Sequence, residues 1–429
     1  MEQREFKLKI TILNGNPSPA PFDDYLAQLG QKLETNGHTA TCLQLRDLPL
    51  HYCVGCWGCW AKTPGECISQ DASREIDRAV INSDFTLWAA PLKMGYPAAR
   101  LKMAMDKHIP LIHPYMVVDQ GEAHHRKRYD RYPRLGLLIE READTDERDL
   151  QIVTALYCRT ALNLKTRLEF AQTTETPVDE IAHRISTAKP SVLPLPRALT
   201  PTMGQTITPP SRLTLFNGSP RGRKGNTTTF LTEFAMGFGG ESDVYHLIQV
   251  KQIDQQVQAF SEAECAWLGF PLYTDAMPGV VKNFIDALQP LAGRKNNPPL
   301  GFIVQSGFPE GLHSRYVERY LEKLAARLGS PYLGTIVRGN GEGVRLMSDS
   351  ANRVLFDGLH ALGASLAREG KLDPQVLAKI AQPERYPTYL GPVFQVFLRL
   401  PGSHTYFDEM LRKNGAFERR FARPFLEPQ

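Results

Sequence analysis

A net excess of either charge is nearly absent from this chain. Its 50 basic residues face 46 acidic ones, a net of +4, too weak a bias to point to nucleic acid or an anionic membrane as partner. Long hydrophobic runs are missing too. The most apolar stretch near the C-terminus, GPVFQVFLRL (391–400), is about half of what a spanning helix needs, so no membrane span is expected. The first residues, MEQREFKLKITILNG, lack a basic region followed by an apolar one. The expectation is therefore no secretory signal and a cytoplasmic, reducing location. Cysteine is scarce, seven in 429 residues, and an odd count in a reducing compartment argues against a disulfide framework.

The cysteines that are present are not scattered. Four of them, Cys53, Cys56, Cys59 and Cys67, fall in CVGCWGCWAKTPGEC. The other three, Cys42, Cys158 and Cys265, stand in apolar surroundings and read as small core residues. With 42% apolar and 22% charged residues the chain is of soluble globular composition, and its length predicts more than one core.

The two halves repeat one another. KLKITILNGNPSPAPFDDYL is matched by SRLTLFNGSPRGRKGNTTTFL. FTLWAAPLKMGYPAARLKMAMD is matched by CAWLGFPLYTDAMPGVVKNFID, with Pro91, Lys102 and Asp106 against Pro271, Lys282 and Asp286. PRLGLLIE is matched by PPLGFIVQ. Three matched blocks in one order predict an internal duplication, and alternating β-rich and helical stretches predict parallel α/β sheets. The expected domains are 1–190 and 211–345, joined by a Pro-rich linker at 191–210 and followed by a helical C-terminal extension at 346–429. The stretch from Gly15 to Pro91 is longer than that from Gly218 to Pro271, and the excess matches the cysteine segment, which reads as a loop insertion.

Asn217 to Thr228 (NGSPRGRKGNTT) runs from a strand into a helix. Gly218, Gly222 and Gly225 permit a tight path, Ser219, Asn226, Thr227 and Thr228 supply short donors, and Arg221, Arg223 and Lys224 add charge. Such a loop offers free N–H groups and a helix N-terminus to a phosphate. The first-half counterpart, NGNPSPAPFDDYL, has three prolines that remove N–H donors, no cation, and Asp23 and Asp24 at the helix start. It reads as an ordinary acidic helix N-terminus.

These motifs, G-S-P-R-x-x-x-G-N-T, the Pro-Leu-Tyr…Lys…Asp block and QSGFPE, resemble the flavodoxin-like NAD(P)H-dependent FMN reductase and quinone reductase families. The cysteine segment resembles that of the iron-sulfur flavoproteins of the same fold group. The resemblance implies two doubly wound parallel-sheet domains and an FMN-dependent NAD(P)H oxidoreductase. FMN would lie against Ser219, Arg221, Asn226 and Thr227, then Pro271, Leu272, Tyr273 and Thr274, then Ser306, Gly307 and Phe308, with Pro309 and Glu310 beyond. In the first copy Pro91, Leu92, Lys93, Met94 and Gly95 take the place of the second of these loops. The resemblance also implies an intramolecular pseudo-dimer or a homodimer, and a small-molecule or protein electron acceptor.

Cys53, Cys56, Cys59 and Cys67 are the candidate metal ligands. Three thiolates at successive three-residue steps can wrap corners of a [4Fe-4S] cluster, Pro64-Gly65 can turn Cys67 back as a fourth, and Trp57 and Trp60 can exclude water. Zinc, thiol redox chemistry and a purely structural loop remain alternatives. So do an electron carrier without its own substrate and a zinc-stabilised scaffold without flavin. His108 and His113 read as hydrogen-bonded structural histidines, and HHRKRYDRYPR (124–134) as a solvated insertion, with a basic rim for a phosphorylated nicotinamide cofactor or an acidic partner as the alternative. No catalytic acid or base stands out.

Overall fold

The computed structural model describes residues 7–119, 121–187, 193, 199–386, 393, 396 and 404–427. Most of the apolar run 391–400 and most of the Pro-rich stretch before residue 199 lie outside the described residues. Contacts group the described residues of 1–117, 124–195 and 394–429 into one compact unit, and those of 118–123 and 196–393 into a second.

In the first unit, β1 (Lys9–Asn14), β2 (Thr39–Gln44), β3 (Phe85–Lys93), β7 (Arg134–Glu140) and β8 (Leu168–Thr173) form a parallel sheet in the order β2-β1-β3-β7-β8. A short β4 (Tyr96–Pro97) folds back antiparallel on β3, and β5 (Ile112–Asp119) and β6 (Glu122–Lys127) make a separate two-stranded sheet. The helices are α1 (Pro21–Thr35), α2 (Gly58–Ala61), α3 (Ser73–Ile81), α4 (Ala99–Met105), α5 (Glu147–Asn163) and α6 (Val178–Ser186). Pro21 and the first-turn Asp23 and Asp24 start α1, and Phe22, Leu26, Leu29 and Leu33 share its buried face at the three- and four-residue spacing of an amphipathic helix. That face closes on Ile10, Ile12, Phe85, Leu87, Ile181 and Ile185.

The second unit repeats the plan. β9 (Arg212–Asn217), β10 (Glu241–His246), β11 (Ala266–Pro271), β12 (Leu300–Gln305) and β13 (Tyr332–Arg338) are all parallel, in the order β10-β9-β11-β12-β13. Its helices are α7 (Asn226–Phe238), α8 (Ile253–Ser261), α9 (Gly279–Ala287), α10 (Leu312–Leu328), α11 (Asp349–Glu369) and α12 (Pro374–Ile380). Both sheets thus have the flavodoxin-like 2-1-3-4-5 order, whose ligand crevice opens at the carboxyl ends of the strands where the order reverses. This shared topology is what a tandem duplication leaves. Each unit also has an i,i+4 ion pair at the same place, between buried Lys102 on α4 and Asp106 just after it, and between buried Lys282 and Asp286 on α9.

Two segments take places that the sequence did not announce. Residues 349–380 read as the start of an extension without a counterpart, but α11 packs on α7 as α6 packs on α1. The α7–α11 approach is close: a Cβ at Gly237 would lie 2.2 Å from His360 O, and one at Gly363 2.2 Å from Phe234 O. The helix Thr405–Lys413 and residues up to Glu427 belong with the first unit instead. Among the described residues no helix is long and apolar enough to cross a membrane.

Candidate functional site

β9, β11 and β12 are neighbours running in one direction, so the loops that follow them share one edge of the sheet. Gly218 N donates to Gly269 O at 2.7 Å and Leu272 N to Gln305 O at 2.7 Å, tying each loop's root to the next. The edge therefore gathers the Ser219–Thr228, Pro271–Thr274 and Ser306–Phe308 segments.

The first loop is pinned from both ends by Asn217. Its Oδ1 accepts from Ser219 N (2.9 Å) and its Nδ2 donates to Thr228 Oγ1 (2.8 Å). Gly222 has φ +55°, and a Cβ at Gly225, the residue before α7, would meet Ser219 Oγ at 1.9 Å. Only glycine leaves this path open. Thr227 is 1% exposed and its Oγ1 has no hydrogen-bond partner, a costly arrangement for a buried hydroxyl unless a ligand completes it. Arg221 and Asn226 converge on one carboxylate, that of Glu342, with Arg221 Nη1 at 2.9 and 3.2 Å and Asn226 Nδ2 at 3.4 Å. Asn226 Nδ2 also donates to Gly341 O at 2.9 Å.

In the second loop Tyr273 and Ala276 exchange backbone hydrogen bonds across Thr274 and Asp275, both at positive φ. In the third, Ser306 Oγ donates to Phe308 O, and the Phe308 ring stacks on His313 with centroids 4.0 Å apart. Glu310 behind it is buried and accepts from Ala123 N at 3.0 Å.

The same edge of the first unit is closed by its own carboxylates. Asn14 Nδ2 donates to Asp23 Oδ1 (2.6 Å), and Arg46 Nη1 lies 3.0 Å from Asp23 Oδ2. Burial pushes the Asp23 carboxyl up, but hydrogen bonds from Asn14, Arg46 and Asn16 outweigh it and hold the group below its ordinary value. At the second loop, Met94 N and Gly95 N both donate to Glu142, at 2.7 and 2.8 Å.

The four clustered cysteines lie in the connection between β2 and α3, residues 45–72, whose second-unit equivalent is only 247–252. Trp57 and Gly55 take left-handed conformations, and a Cβ at Gly58 would lie 2.5 Å from Ile68 Cγ2. Gly65, at φ +93°, donates to Cys59 O at 2.9 Å, so the Pro-Gly turn brings Cys67 back to the others. Cys53, Cys56, Cys59 and Cys67 all line one cavity of about 30 Å³ with Trp57, Ile68 and Lys107. Burial, opposed in part by the Gly55 backbone, pushes the Cys53 thiol up to about 12. Burial, reinforced by the other three cysteines, pushes Cys59 well above its ordinary value. Lys107 Nζ sits 3.5 Å from Cys67 Sγ and 2.9 Å from Asp71. Among the described residues no three His, Cys, Asp or Glu side chains surround a single point as ligands of one ion. The four thiols nevertheless face one space, with Cys56 exposed and Cys53, Cys59 and Cys67 half-buried, and thiols gathered in this way are groups that a metal guest would hold as thiolates.

The walls of this cavity come partly from unforeseen places. Trp57 packs against Tyr406 and Phe407 of the helix Thr405–Lys413, with centroids 6.0 and 5.3 Å away. Trp60 is buried and its Nε1 donates to Ile109 O and Ile112 O. The basic run 124–134 is only partly solvated: Arg126, Lys127, Asp130 and Arg131 are exposed, but others are held inside. His124 bonds Asn163, and Arg128, 1% exposed, donates to Pro110 O, Arg420 O and Ala422 O. Carbonyls at the ends of neighbouring segments take the Nε and Nη1 of a guanidinium that composition alone would leave in water, while its buried Nη2 has no hydrogen-bond partner. His108 is buried against Asp77 at 2.7 Å and His113 between Tyr115 and Phe421, both structural positions. Cys158 and Cys265 are buried as expected, whereas Cys42 is exposed on the outermost strand β2.

Residues 8–127 match the model of the NADPH-dependent FMN reductase family. An iron-sulfur flavoprotein from Archaeoglobus fulgidus is 31% identical over 83 residues, 19% of this chain and 37% of the relative. The chain thus spans little more than a third of that relative's length. Among solved structures, an FMN-dependent NADH-azoreductase from Bacillus anthracis in complex with FMN is similar at 11% identity, over 37% of this chain and all of that one, with TM-score 0.30. An NAD(P)H:quinone oxidoreductase from Methanothermobacter marburgensis is similar at 14% identity, over 36% of this chain and 94% of that one, with TM-score 0.29.

Proposed function

We propose that the chain is an NAD(P)H-dependent flavin oxidoreductase, a reading supported by the match of residues 8–127 to the NADPH-dependent FMN reductase family model. Its second unit holds FMN and its cysteine cavity holds an iron-sulfur cluster. The observation that carries the flavin reading is the Ser219–Thr228 loop, a glycine-enforced cradle with a buried, unpartnered Thr227 hydroxyl and an arginine already holding an anion.

In this reading Ser219, Arg221, Asn226 and Thr227 hold the phosphate, and the backbone N–H groups at the start of α7 add the positive end of the helix. Pro271, Leu272, Tyr273 and Thr274 orient the ring from one side, and Ser306, Gly307 and Phe308 from another. Cys53, Cys56, Cys59 and Cys67 ligate the cluster, with Lys107 offsetting charge at Cys67 and Trp57 excluding water. FMN when bound supplies a carrier of two electrons and the cluster a carrier of one.

The test is FMN, iron, sulfide and zinc analysis of protein purified without oxygen, on wild type and on a Ser219→Ala/Thr227→Ala double variant. One FMN per chain in the wild type, lost in the variant, supports the flavin site. Unchanged flavin content in the variant refutes its placement, and zinc in place of iron turns the cysteine cavity into a structural site.

A further inference from the structure

The Asn217–Thr228 loop is rich in cations, yet its half-buried Arg221 meets an anion of the chain itself. Glu342 follows β13 in the turn Gly341–Leu346 and keeps 23% of its side chain exposed. Arg221 meets it with one guanidinium nitrogen and Arg345 meets the same carboxylate. Asn226 reaches both its Oε2 and the Gly341 carbonyl. Two of the four side chains assigned to the phosphate thus already serve an internal acceptor. The third, Thr227, has none.

We propose that Glu342 is a resident counter-anion of the phosphate cradle, displaced when the phosphate of a flavin nucleotide enters; the inference rests on the FMN reading above. A guanidinium presents its fork to one anion at a time at full strength. A phosphate monoester brings a charge near −2 and three acceptor oxygens, so it wins Arg221 and Asn226 from a single carboxylate and supplies Thr227 with a partner. The displaced carboxylate then lies close to like charge and opposes the filled state. In the empty state it does the reverse, because without it Arg221 and Arg345, which share its carboxylate, are left without that counter-charge. Glu342 therefore stabilises the empty cradle and lowers its affinity for the nucleotide. A flavin without a phosphate feels neither effect.

The experiment is a fluorescence titration of flavin-free protein with FMN and with riboflavin, on wild type and Glu342→Gln, together with melting of the flavin-free forms. In Glu342→Gln the Kd for FMN is expected to fall about five- to tenfold, that for riboflavin to stay the same, and the flavin-free protein to melt lower. Glu342→Ala serves as the second variant and is expected to act in the same direction. An FMN Kd that rises or does not move in either variant overturns the proposal, since a carboxylate that merely orients Arg221 gives that result. Equal tightening for FMN and riboflavin overturns it as well. If neither wild type nor variant binds FMN, the flavin reading fails and the inference falls with it. If only the variants bind FMN, the counter-anion is confirmed.

Discussion

The two helix starts, α1 and α7, are one device used in opposite ways. Each follows the first strand of its sheet, and each is pinned by the asparagine that ends that strand. Asn14 Oδ1 accepts from Asn16 N as Asn217 Oδ1 accepts from Ser219 N, both at 2.9 Å. Each asparagine also sends its Nδ2 to the third residue of the helix, and there they part. In α7 that residue is Thr228, a neutral hydroxyl. In α1 it is Asp23, a carboxylate that also accepts from Arg46 and from Ala20 N. The residue before the helix differs too, Gly225 against Ala20, as do the first two helical residues, Asn226 and Thr227 against Pro21 and Phe22. A helix N-terminus attracts one negative charge strongly. Where the chain supplies that charge locally the site is closed, and where it supplies a hydroxyl the site is open to a ligand.

The sharpest way to break this contrast is to carry the first-unit solution into the second. Thr228→Asp places a carboxylate at the third residue of α7, as in α1, where that arrangement folds. FMN affinity is expected to drop more than about a hundredfold, roughly 3 kcal/mol, through repulsion in a partly buried site. Titration with FMN checks it, and an affinity within threefold of wild type would show that charge at this position is not what separates the units. Gly225→Ala imports the Ala20 choice. Its Cβ falls 1.9 Å from Ser219 Oγ, so the loop must shift, at about 2 kcal/mol, and FMN affinity is expected to fall some thirtyfold.

The reverse exchange leaves flavin untouched. Asp23→Asn removes the charge held by Asn14 and Arg46 and is expected to destabilise the first unit by about 2 kcal/mol, read as a lower midpoint of its denaturant unfolding. FMN content is expected to stay the same, because Pro17, Pro19 and Pro21 still lack the N–H groups that a phosphate needs. A gain of flavin in this variant would mean that one carboxylate alone closes the first unit.

What the sequence made legible was whatever repeats or has fixed spacing. The alternation of elements shows both sheets, Lys102–Asp106 and Lys282–Asp286 show as a matched pair, and CVGCWGCWAKTPGEC shows four thiols that line one cavity. The open character of the Asn217–Thr228 loop was visible in its glycines and hydroxyls. Glu342 was not visible, because it reaches Arg221 across 121 residues and a glutamate in a Gly-rich turn carries no local signature. Arg128 was misleading for a related reason: basic runs are usually solvated, and the carbonyls that bury this one come from residues 110, 420 and 422. The same holds for Tyr406 and Phe407, whose helix returns to Trp57 from the far end of the chain.

The smallest of the expected effects tests whether the units differ in more than their ligand edges. The hairpin β5–β6 has its residues 112–117 and 124–127 in the first unit, and in the second the described residues between α9 and β12 form no such pair. On it, His113 is 3% exposed, and burial, aided by Arg128, Arg126, Arg423 and His125, lowers its pKa to about 3. His125 is lowered to about 4, by burial first and Lys165 next. A base whose folded value is depressed costs nothing while both states are neutral, above about pH 6.5. As pH falls below that, the unfolded chain takes up protons that the folded unit refuses, so stability falls, by at most about 1.4 kcal/mol per pH unit for each histidine. The loss continues until the folded values near 3 and 4 are reached. Calorimetry between about pH 7.5 and 5.5 is expected to show the first unit's transition moving down in temperature ahead of the second's, with His113→Phe reducing the difference. If both transitions move in parallel in wild type and variant alike, the hairpin histidines do not set the acid sensitivity of the first unit, and the contrast between the units is confined to the edges of their sheets.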